Sequence, residues 1–81
     1  MNNTTILTRL GAAVKKQRLL QSISQEELAF QCGITRNQVS LIERGLVNIK
    51  YITFIKLSSI LPLDLDNLIV KPEELNELKS K

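Results

Sequence analysis

Two capping motifs stand eleven residues apart with a glycine between them, and this spacing constrains the fold more than any other feature of the chain. Ser24-Gln25-Glu26-Glu27 places a hydroxyl three residues before a carboxylate. Thr35-Arg36-Asn37-Gln38 repeats the pattern with a side-chain amide. In a capping box the hydroxyl accepts from the backbone amide three residues on, and the later side chain reaches back to the cap. Each motif therefore marks the start of a helix. One helix runs from Ser24 through Leu28, Ala29 and Cys32, and the next from Thr35 through Val39 and Ile42 to Gly45. Gly33 between them tolerates the left-handed backbone that a sharp stop needs.

The flanking sequence is helical in pattern as well. Leu7, Leu10, Gly11, Val14 and Leu19 lie opposite Arg9, Lys15, Lys16 and Gln17, which predicts an amphipathic first helix over about residues 4–21. Lys50 to Leu61 reads as a fourth helix ended by Pro62, with Phe54, Leu57, Ser58 and Leu61 on its core face. Asp64 caps a short fifth helix through Leu68 and Ile69. Nothing alternates with the period of a strand. The expectation is an all-α, compact five-helix domain over residues 1–70, with 71–81 as a short C-terminal tail.

Composition removes most catalytic chemistries. Histidine is absent, so the commonest general base and the usual partner of a nucleophilic serine or cysteine are missing. Cys32 is the single cysteine, which excludes an internal disulfide and a zinc cluster built from cysteine and histidine. No enzyme, metal, cofactor or small-molecule ligand is expected. Charge is divided unevenly: eight basic against three acidic residues leave +5 in 1–56, and three against five leave −2 in 57–81. A basic leading part suits a polyanion such as double-stranded DNA. No apolar run has the length of a membrane span, and Met1-Asn2-Asn3-Thr4 does not resemble a signal peptide, so a cytoplasmic protein with no membrane partner is expected.

Two capped helices joined by a glycine turn, the second presenting polar residues, form the geometry that places a helix in the major groove. The span runs from about Gln25 to Arg44. With Ile34, Val39 and Ile42 turned inward, the 3.6-residue period leaves Arg36, Asn37, Ser40, Leu41 and Arg44 outward. The start of the preceding helix offers unpaired amides to a phosphate. A plain helical hairpin would need neither the paired caps nor the basic outer face.

Leu10-Gly11, Arg18, Ser24-Gln-Glu-Glu-Leu-Ala29, Gly33-Ile34-Thr35-Arg36, Val39-Ser40, Ile42-Glu-Arg-Gly45 and Leu65-Asp-Asn-Leu68 together resemble the Cro/C1-type, or Xre, helix-turn-helix family of phage repressors and bacterial regulators. The resemblance implies a lambda-repressor-like DNA-binding domain that reads a palindromic operator as a homodimer. By position it implies that Gln25 grips a phosphate, that Arg36, Asn37, Ser40 and Leu41 reach base edges, and that Arg18 and Glu43 form a buried ion pair. The side-chain chemistry agrees, since arginine pairs bidentately with guanine, asparagine with adenine, and leucine can meet a thymine methyl. Arg44, Asn48 and Lys50 then fall where backbone contacts are expected. The family usually has proline after the asparagine at position 48, and Ile49 stands there instead. An Asn-Ile segment in so short a chain is similar to the controller proteins of restriction–modification systems, which implies an autoregulatory transcription regulator. A phage-type repressor, a toxin–antitoxin antitoxin, and an interaction module without DNA binding are the other readings.

Three side chains outside the motif carry expectations of their own. Cys32 reads as a buried small hydrophobe rather than a redox sensor. Tyr51 reads as core packing with its hydroxyl at the rim. Ile52 and Ile55 fall off the core face of the fourth helix, which, with Ile69 and Val70 following, points to a dimer surface.

Overall fold

A computed structural model describes residues 4–63, with side chains from Thr5 onward. It contains α1 (Thr4–Leu20), α2 (Gln25–Cys32), α3 (Arg36–Glu43) and α4 (Tyr51–Ile60), and no strand among the described residues. The all-helical expectation and the compact helix-turn-helix arrangement hold. The expected fifth helix at Asp64–Ile69 and the tail 71–81 lie outside the described residues, so five helices are not established.

Local chemistry explains the helix boundaries. The Ser24 hydroxyl accepts from the amide of Glu27 at 3.0 Å and Thr35 does the same for Gln38 at 3.0 Å. Only the second motif is a complete capping box, because the Gln38 carbonyl oxygen accepts from the Thr35 amide at 2.8 Å. Glu27 does not reach back: its carboxylate accepts from Gln31 one turn on, at 2.8 Å. Charged Glu27 has a side-chain donor on its own helix face, and that bond replaces the reciprocal cap.

Three helices end in the same way. A residue with positive φ follows each, Ser22 after α1, Gly33 after α2 and Gly45 after α3. In each case the next amide bonds back five residues, Ile23 to Arg18, Ile34 to Ala29 and Leu46 to Leu41, each at 3.0 Å. This is the Schellman arrangement, which satisfies carbonyls that the helix itself leaves open. α4 ends differently, at an extended Leu61 ahead of Pro62.

Leu10, Val14, Leu28, Ala29, Cys32, Val39, Ile42, Leu57 and Leu61 form one buried cluster, with Ile23, Ile34, Val47, Ile49, Phe54, Ile60 and Leu63 packed against it. Three expectations need correction. Leu19 is 57% exposed. The inward stripe of α1 follows Leu7, Gly11, Val14 and Arg18, so Arg18 takes the inner position at the end and Leu19 turns away by about 100°. Ser58 is exposed, one step beyond the core position held by Leu57. Tyr51, at the first position of α4, is 78% exposed and contributes nothing to the core.

α1 lies against the C-terminal end of α3 at unusually short range. A Cβ on Gly11 would stand 2.7 Å from the Glu43 carbonyl oxygen and touch that of Ile42 as well. A Cβ on Gly45 would stand 2.9 Å from Cα of Thr8. Backbone meets backbone at both points, which holds the end of α3 in a fixed position relative to α1.

Candidate nucleic-acid interface

The turn between α2 and α3 sets the direction of α3, and the Thr35 box holds its first turn. Arg36 and Asn37 follow directly and are both exposed. Neither has a side-chain hydrogen bond among the described residues, so their donors and acceptors face outward and open. Ser40 and Leu41, one turn later, are half-buried, while Val39 and Ile42 are buried beneath. The 3.6-residue period thus divides α3 into a core face and a face carrying the four side chains read as base-contacting.

Three of the residues read as backbone contacts follow this face along the chain. Arg44 is exposed at the end of α3, and its Nε donates to the Ser40 carbonyl at 3.3 Å. Asn48 and Lys50 are exposed in the connection to α4, with Lys50 at the N-cap position. A groove of about 440 Å³ joins these elements, with Gln38, Leu41, Asn48, Lys50, Thr53 and Lys56 among its lining. Leu41, Asn48 and Lys50 are therefore brought together. Ile52 lines the same groove from α4.

At the C-terminal end of α3 lies a buried charge cluster. Arg18 Nε donates to Glu43 Oε2 at 2.6 Å and Nη2 to Oε1 at 3.1 Å, a bidentate pair with side chains 9% and 3% exposed. Arg18 Nη1 also donates to the Ile23 carbonyl at 2.9 Å. Gln25, which opens α2, donates from Nε2 to Glu43 Oε1 at 3.0 Å. One carboxylate is thus shared by side chains from α1 and α2. No buried side-chain polar atom among the described residues lacks a partner.

Cys32 is buried, and desolvation pushes its thiol above the ordinary value of 9.0, opposed by the nearby Lys56 charge. A protonated, inaccessible thiol has no nucleophilic role at neutral pH. Among the described residues no group of histidine, cysteine or carboxylate side chains is placed to hold a metal ion, and no helix is long and apolar enough to cross a membrane. Ile52 and Ile55 are 59% and 42% exposed on α4, and Ile69 lies outside the described residues.

Sequence reasoning did not find the Gln25–Glu43 bond or the backbone approach at Gly11. Leu10-Gly11 stood among the motif residues, but nothing in a single chain says which carbonyls a glycine will face.

Residues 14–68 match the model of the helix-turn-helix family. The control protein C.BamHI of Bacillus amyloliquefaciens is 41% identical over 61 residues, spanning 74% of this chain and 73% of that protein. The crystal structure of the restriction-modification controller protein C.AhdI from Aeromonas hydrophila superimposes with a TM-score of 0.73 at 29% identity, covering 85% of this chain and all of that one.

Proposed function

The chain belongs to the helix-turn-helix family of DNA-binding regulators, and from that premise we propose that it is a cytoplasmic controller of a restriction–modification operon, binding a palindromic operator as a homodimer. The likeness to C.BamHI and C.AhdI, both named as controllers, supports the operon assignment. The observation that carries DNA reading is the exposed Arg36–Asn37 pair, without side-chain hydrogen bonds among the described residues, at the N-terminal end of a capped α3. Docking in the major groove brings that end to the base edges.

In this reading the Arg36 guanidinium pairs with the two acceptors of a guanine, Asn37 with an adenine, and Ser40 and Leu41 complete the contact further along α3. Gln25, Arg44, Asn48 and Lys50 hold phosphates and fix the register without reading sequence. One α3 covers only a few base pairs. Two copies related by a two-fold axis read half-sites about 34 Å apart, with Ile52 and Ile55 at the interface and Ile69 joining them.

Selection of bound duplexes from random DNA tests the proposal. A two-fold symmetric site should emerge and recur upstream of the protein's own gene. Recovery of duplexes with no common sequence, or of a site absent from that region, would contradict it.

A further inference from the structure

Gln25 and Glu43 stand at opposite ends of the reading unit, the first opening α2 and the second closing α3, yet their side chains meet at 3.0 Å. An amide side chain has two faces that differ by a half-turn about its last bond, one presenting N–H groups and the other a carbonyl oxygen. An ionised carboxylate accepts and cannot donate, so only the nitrogen of Gln25 can face Glu43. Glu43 is itself immobilised, with both oxygens bonded to Arg18.

We propose that Glu43 is a positioning residue for DNA binding, setting the Gln25 amide so that its second N–H is the donor offered to a phosphate. The inference rests on the reading of Gln25 as a backbone contact. Turned the other way, the amide would aim its oxygen at phosphate oxygens and repel them. The carboxylate selects the productive orientation before DNA arrives, so the contact needs no reordering on binding. Arg18 is required as well. A bare carboxylate near the DNA backbone would repel it, and the bidentate guanidinium cancels that charge. The buried pair thus connects α1 to a phosphate contact on α2.

The test uses a duplex recovered by this protein from random DNA, with individual phosphates replaced one at a time by neutral methylphosphonates. Affinity is read by fluorescence anisotropy for the wild type, Gln25→Ala, Glu43→Met and Arg18→Met/Glu43→Met. The last variant leaves no stranded charge and protects against simple unfolding, which circular dichroism checks. In the wild type, one phosphate per half-site should weaken binding roughly tenfold when neutralised. The same replacement should no longer matter to the other three proteins. Folded Glu43 variants that keep wild-type sensitivity at that phosphate would overturn the inference, leaving Glu43 as a purely structural tie. If no phosphate distinguishes Gln25→Ala from wild type, the reading of Gln25 fails and the inference fails with it. A second measurement needs no variant beyond that used to assign the resonance. On adding the duplex, the Gln25 amide proton bonded to Glu43 should keep its NMR shift while the other moves, and the reverse pattern would contradict the inference.

Discussion

Nε of Arg18 lies 2.6 Å from Oε2 of Glu43, joining α1 to the last residue of α3 in a site closed to solvent. A buried pair of this kind gains little over an apolar replacement, because each ion loses its hydration, but removing one partner strands the other. Glu43→Gln or Arg18→Met alone should cost about 3–5 kcal/mol. Arg18→Met/Glu43→Met should lose much less than the sum of the two. Equilibrium denaturation decides it, and losses under about 1 kcal/mol for both single variants would assign the pair the energetics of an exposed contact.

Gly11 should be intolerant of any side chain. A single methyl there meets two backbone carbonyls, which cannot rotate away as a flexible side chain could. Although alanine is the better helix former by roughly 1 kcal/mol, Gly11→Ala should destabilise the protein by at least about 1–3 kcal/mol. A melting temperature equal to or above that of the wild type would mean that α1 and α3 can separate at no cost.

The exposed isoleucines of α4 should govern association. Sedimentation of Ile52→Lys/Ile55→Lys should give a folded monomer with weakened operator binding, since charged side chains at an apolar interface cannot be desolvated cheaply. A double variant that stays dimeric would place the interface elsewhere.

Much of the architecture was legible because it rests on local chemistry. Ser24 and Thr35 announce helix starts, Gly33 and Gly45 announce stops, and the 3.6-residue period separates Val39 and Ile42 from Arg36 and Asn37. What the sequence hid depends on partners distant along the chain. Ser22 holds the left-handed position after α1 with no glycine to mark it. Leu19 looks like core until the stripe ending in Arg18 is known to face α3. Tyr51 is aromatic yet exposed, because its place at the start of α4 projects beyond the core. The Arg18–Glu43 pair was implied by resemblance, and the bond that adds Gln25 to it was implied by nothing in the sequence.

The proposed division, in which α3 reads bases while the start of α2 only holds the backbone, is tested most directly by titrating Arg36→Ala and Gln25→Ala against the selected operator and a scrambled duplex, at two salt concentrations. Arg36→Ala should lose roughly 1–3 kcal/mol on the operator and far less on the scrambled duplex, relaxing preference at one symmetric position per half-site. Gln25→Ala should weaken both duplexes by similar factors and leave the salt dependence almost unchanged, since its amide carries no charge to release counterions. Equal losses on the two duplexes for Arg36→Ala would contradict the assignment of α3 as the base-reading element.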